Sequence, residues 1–175
     1  TLVTFLVTLY AFFLTGIVVA GTLLATGTVA ANGPIGVGLI PAAGAAVVLG
    51  VALLLAAFAP RVAQDGTDGR ARRAGALVAS GVREGLSLLR LGDLRLLGAP
   101  IWWLADAAVL WAMLHAFGAP PSLAVLALAY FVGQVGNTLP VPGAVSGGMV
   151  GILVAFDVPA DLALVSVLAY RAVAI

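Results

Sequence analysis

The chain of 175 residues has no cysteine and no lysine, one histidine, and only 9% charged residues. Without cysteine there is no disulfide framework, no thiolate nucleophile and no sulfur-ligated metal, and His115 alone cannot make a histidine cluster. No metal or cofactor is therefore expected. Soluble domains carry about 25% charged residues, so the shortage of charge, beside 63% hydrophobic residues, excludes a water-soluble globule. A net charge of +1, with the basic residues in one block and no stacking aromatics between them, excludes a nucleic-acid partner. Arginine supplies all eight cations, which reads as the codon bias of a high-GC bacterial genome. The chain begins and ends inside apolar runs, the pattern expected of a piece of a longer protein.

The charges that are present are unevenly placed. Residues 1–60 carry none, whereas 61–95 hold seven arginines and four acids. A helix crossing the roughly 30 Å hydrocarbon layer needs about 20 apolar residues. Residues 2–30 and 35–59 satisfy this, and Ala31-Asn32-Gly33-Pro34 between them is a turn signal, so 1–60 reads as an antiparallel transmembrane hairpin. Ala42, Ala46 and Gly50 recur every fourth residue, a spacing that lets helix backbones approach closely in lipid.

The segment 61–96 is expected to be cytoplasmic, because its arginines contrast with their absence from 31–34 and 117–122. Within it Arg72, Arg83 and Arg90 share one side of a helix and Val78, Val82, Leu86 and Leu89 an adjacent one, the pattern of an interfacial amphipathic helix. Residues 97–175 form the C-terminal part. A span at 97–117 starts with Trp102 and Trp103, expected in an aromatic belt, and ends near an interfacial His115. Phe117-Gly118-Ala119-Pro120-Pro121-Ser122 is the next turn, with Ser122 capping a helix over Leu123–Leu139. Pro140-Val141-Pro142-Gly143 then breaks the helix, and the 14 residues Gly143–Phe156 are short for a full crossing. A last helix starts after Pro159. The fold expected is all-α: a polytopic helical membrane protein of five to six transmembrane helices, one of them broken or re-entrant.

Polar residues inside these apolar runs are the candidates for function. A broken helix at membrane depth is tolerated where protein or a polar cavity satisfies its backbone, and its free N–H groups then suit an anion. Gly143, Gly147 and Gly148 would let a phosphate approach. Arg171 lies 12 residues beyond Pro159, a depth at which arginine costs about 2.5–3.5 kcal/mol unless it faces a partner or a cavity. Tyr130, Gln134 and Asn137 share one helix face and either bond across helices or line a polar path. Asp106 is expected to face the bundle, with Arg171 its first candidate partner. There is no carboxylate pair of defined spacing, no triad the sequence can support and no complete phosphate loop, so the chain is not expected to be an enzyme.

The run Tyr130-Phe131-Val132-Gly133-Gln134-Val135-Gly136-Asn137-Thr138-Leu139-Pro140-Val141-Pro142-Gly143 resembles the lysylphosphatidylglycerol synthase membrane region, the flippase-like integral membrane family. Pro159, Tyr170 and Arg171 follow in the order of that family's C-terminal signature, and the Trp-Trp-Leu-Ala-Asp stretch at 102–106 is also similar. Ala144-Val145-Ser146 stands where the family has a second glycine and then an acid, and Asp157 stands where glycine is usual. The resemblance implies a bacterial cytoplasmic-membrane protein that moves a phospholipid or lipid-linked phosphate, aminoacyl-phosphatidylglycerol in the best-known members. It also implies a separate synthase domain, fused or associated. Together with the residue reading it gives the candidate substrate-binding set Asn137, Pro140, Pro142, Gly143, Gly147, Gly148, Tyr170 and Arg171, with Asp106, Tyr130 and Gln134 as intramembrane polar partners. The alternative is a non-catalytic anchor for a synthase domain outside the segment.

Overall fold

The computed structural model describes residues 2–28, 33–62, 76–77, 79–85, 87, 97–138 and 141–174. The described residues are helices and the turns between them: α1 (Leu2–Ala25), α2 (Ile35–Val62), α3 (Gly98–Phe117), α4 (Leu123–Val135) with a 3-10 turn at Gly136–Thr138, α5 (Ala144–Ala155) and α6 (Ala160–Val173). Stretches within α1, α2 and α3 (Leu6–Ala25, Ile35–Leu55 and Pro100–Phe117) are long and apolar enough to cross a membrane, and α4 and α5 are shorter apolar helices. The hydroxyls of Thr15, Thr22 and Thr26 bond back to carbonyls one turn earlier in α1, which satisfies them without solvent.

The first two helices pack as the expected hairpin. Their closest approach runs through Gly21 on α1 and Gly38 and Ala42 on α2, where a Cβ added to Gly21 would lie 2.8 Å from the Ala42 Cβ. Ala42 and Ala45 are buried, whereas Ala46 is exposed and Gly50 has nothing near it. The close approach therefore uses Gly38 and Ala42 rather than the expected stripe Ala42, Ala46 and Gly50. Gly38 lies one turn nearer the hairpin loop than Ala42 on the same face, and Gly21 leaves room for both.

Of the expected amphipathic segment, residues 63–75, 78, 86 and 88–96, among them Arg72, Val78, Leu86, Leu89 and Arg90, lie outside the described residues. The described part between 76 and 87 is helical, with Ala79, Gly81 and Gly85 buried and Arg83 exposed. Gly85 faces Thr8 of α1, which docks this part against the first helix.

The core gathers where α1, α3 and α4 meet. Phe13 stacks near Trp103 and Phe131, with ring centroids 5.5 and 5.6 Å apart, and Gly16 leaves space for the Phe131 ring. Trp102 is exposed as an aromatic-belt residue would be. Trp103 is not: it is buried against Phe13, Phe131 and Tyr130. Adjacent residues on a helix point about 100° apart, so only one of the pair can face outward.

Chain turns define a common end of the bundle. Ser122 caps α4 as expected, its hydroxyl accepting from the Val125 N–H. Gly118, after α3, packs on Leu162 near the start of α6, and Phe156, after α5, packs on Gly33 just before α2. Distances along the helices can be counted from this end.

Candidate functional site

Asp106 on α3 turns inward and collects hydrogen bonds from two other helices. Its Oδ2 accepts from the Tyr130 hydroxyl on α4 and, at 2.7 Å, from the Tyr170 hydroxyl on α6. The Gln134 amide nitrogen donates to the Tyr170 oxygen at 3.2 Å and lies 3.4 Å from the same carboxylate oxygen. Asn137 in turn donates to the Gln134 carbonyl. The donors thus run in one direction, from Asn137 through Gln134 and Tyr170 to Asp106. Both tyrosines and Gln134 are buried, and Asn137 is exposed. Through this one shared oxygen the Asp106 side chain joins α3, α4 and α6.

The spacing of the contributors follows from helix geometry. Tyr130 and Gln134 are one turn apart, and Asn137 continues the same face into the 3-10 turn. Asp106 bonds to Tyr170 rather than to the expected Arg171, because the two neighbours project about 100° apart from α6 and Tyr170 holds the inward direction. Arg171 is half-buried in the last turn of α6.

At 1.5 Å per residue, Asp106 lies about 18 Å from Gly118, Gln134 about 17 Å from the start of α4, and Tyr170 and Arg171 about 15 and 17 Å from the start of α6. Ala144 lies about 18 Å from Phe156 along α5. The polar cluster, Arg171 and the turn between α4 and α5 therefore share one level. The span in α3, 18 residues, is about 27 Å long, so that level lies about two thirds of the way along it from the Gly118 end.

The turn itself is built on two glycine contacts. A Cβ on Gly136 would sit 2.6 Å from the Val145 nitrogen, and one on Gly148 would sit 3.1 Å from the Gly133 Cα. These glycines bring α4 and α5 into backbone contact, so Gly148 has a packing role. Gly143 adopts φ +80°, a left-handed conformation that glycine takes without strain, and is exposed with open space around it. Gly147 is likewise exposed and open, and Pro142 is exposed in the turn. Leu139 and Pro140 lie outside the described residues. The Ala144 N–H donates to the Val141 carbonyl and the Gly147 N–H to the Gly143 carbonyl, which occupies two of the amides at this helix start.

Two buried polar groups near the cluster are not among the site residues expected from sequence, which reads Trp103 only as an aromatic-belt residue. The Trp103 indole nitrogen and the Ser166 hydroxyl have no hydrogen-bond partner among the described residues. Their signal is periodic: Trp103 precedes Asp106 by three residues and Ser166 precedes Tyr170 by four, which places each on the same helix face as a cluster member. No protein-family model, curated protein or solved structure matches the chain.

Proposed function

We propose that this chain is part of a bacterial multi-pass cytoplasmic-membrane protein that binds a phospholipid or lipid-linked phosphate and moves it between leaflets. The observation that carries the reading is the shared level of the α4–α5 turn, the Asp106 cluster and Arg171, about two thirds of the way along the apolar span of α3 from its Phe117 end. In hydrocarbon, non-helical backbone and ionisable side chains are costly and mark binding sites or pathways. A head group crossing the bilayer needs polar contacts at that level, and this is where the chain concentrates them.

In this reading α4 and α5 form a re-entrant pair that turns back inside the membrane, since α5 has only 12 residues, about 18 Å. Gly143 and Gly147 leave the approach open, the start of α5 offers the positive end of its dipole, and Arg171 supplies a charge that can grip phosphate with two parallel hydrogen bonds. The resemblance of 130–143 and Tyr170-Arg171 to the flippase-like family supports a lipid as the cargo.

The test is lipid translocation in vesicles by the full-length protein, with insertion measured separately. Arg171→Ala is expected to lose at least tenfold in rate and Arg171→Lys a smaller part, because lysine keeps the charge but not the fork. Wild-type transport by Arg171→Ala would refute the phosphate role and favour the anchor reading.

A further inference from the structure

The hydrogen bonds around Asp106 fix more than the packing of three helices. Its Oδ2 already accepts from the Tyr130 and Tyr170 hydroxyls, so a further partner of that oxygen must also be a donor. The Tyr170 proton is used in that bond, and the Tyr170 oxygen can only accept from anything else. Both neighbours of the Gln134 amide therefore demand its nitrogen, which lies 3.2 Å from the Tyr170 oxygen and 3.4 Å from the carboxylate. A reversed amide would set its carbonyl oxygen against two other oxygens. Asp106 and Tyr170 thus turn the Gln134 carbonyl toward Asn137.

The constraint passes on to the next amide. Only the nitrogen of Asn137 can meet the Gln134 carbonyl, and it does, so the Asn137 Oδ1 is the end left over. That oxygen has no hydrogen-bond partner among the described residues, and Asn137 is exposed in the 3-10 turn that follows α4. An inward-facing carboxylate thereby fixes an acceptor at the start of the α4–α5 turn. Arg171, the neighbour of Tyr170 on α6, carries donors only. Its level is that of Gln134, and Asn137 lies about 5 Å beyond Gln134 along α4. One level of the bundle therefore offers donors from α6 and, about a turn away, a fixed acceptor from α4.

We propose that Asn137 is a specificity-determining residue whose Oδ1 accepts a hydrogen bond from a hydroxyl or ammonium group of the lipid head group, while Arg171 holds the phosphate. A phosphodiester lipid with such a donor matches both groups. A phosphodiester without one leaves the Asn137 oxygen unmatched, and sites built to hydrogen-bond an O–H or N–H discriminate against the analogue that lacks it. The inference deepens the lipid-handling reading and rests on it for the phosphate at Arg171; the direction of the Asn137 amide rests on the hydrogen bonds alone.

Matched lipid pairs test it. Phosphatidylglycerol and phosphatidylmethanol carry the same charge, and only the first has head-group hydroxyls; phosphatidylethanolamine and phosphatidylcholine differ in having or lacking N–H donors. Binding of short-chain forms of all four to the full-length protein in detergent is measured by calorimetry. In at least one pair the donor lipid is expected to bind about threefold more tightly or better, the size of one modest hydrogen bond, and the pair that shows it tells hydroxyl from ammonium. Asn137→Ala should bring the two affinities of that pair together. Gln134→Leu, which no longer aims the Asn137 amide, should do the same, whereas Arg171→Ala should weaken both lipids and keep their ratio. Equal affinities within both pairs for the wild type, or a preference that survives in Asn137→Ala, would overturn the proposal. Binding needs no transport, so a protein that shows the preference and moves no lipid fails the translocation reading alone. One whose Arg171-dependent binding shows no preference fails this inference alone.

Discussion

Asp106 illustrates how a single acidic residue in an apolar helix acquires its surroundings. Its Oδ2 is the acceptor for both buried tyrosine hydroxyls. Interhelical hydrogen bonds in membranes average only about 0.6 kcal/mol and reach about 1.7 kcal/mol, so Tyr130→Phe and Tyr170→Phe should each destabilise by about that range. Asp106→Ala leaves both phenols without their acceptor and should cost about 2–4 kcal/mol, while Asp106→Asn, which keeps an acceptor oxygen, should fall between. Reversible unfolding in mixed micelles measures the order, and an Asp106→Ala variant no weaker than Tyr170→Phe would show that the cluster is not held through the carboxylate. That Asp106 faces inward is legible in the sequence, because the cost of a lipid-facing carboxylate leaves little choice. That its α6 partner is Tyr170 and not Arg171 is not legible, since opposite charge favours the arginine while helix phase, set by packing against α3 and α5, favours the tyrosine.

The α4–α5 pair is legible as an interruption but not as a packed hairpin. Proline and glycine at 140–143 announce the break, and Ser122 and Pro159 mark the neighbouring helix starts. Which glycines give access and which give contact depends on the partner helix, and a lone sequence does not specify it. The same holds for α2, whose many small residues offer several stripes and whose contact with Gly21 selects Gly38 and Ala42. Gly136→Ala presses a methyl against the start of α5 and should cost about 1–3 kcal/mol, whereas Gly147→Ala meets nothing and should be neutral or stabilise by up to about 1 kcal/mol. If Gly147 admits a phosphate, Gly147→Ala lowers transport while stability is kept. A Gly136→Ala protein as stable as the parent would contradict the backbone contact.

For the whole molecule, the charge asymmetry of the loops predicts sidedness and the helix contacts predict depth. Cysteines placed at Thr67 and Ser122 of this cysteine-free chain should react with an impermeant reagent from opposite faces of the membrane, and reaction from one face would overturn the orientation. Depth is the sharper question, because a turn that lay at an interface would be an ordinary loop and the shared level of Asp106, Arg171, Gly136 and Ala144 would lose its functional meaning. The direct measurement attaches a fluorophore to a cysteine at Val141, an exposed turn residue, and compares its quenching by lipids carrying a nitroxide on the head group or at successive acyl-chain carbons. Reference labels at Val47, midway along the α2 span, and at Ser122, at the bundle end, calibrate the scale. The account predicts that Val141 is quenched most strongly by nitroxides deep in the chain, with a profile like that of Val47. A Val141 profile peaking at head-group nitroxides, like that of Ser122, would contradict it.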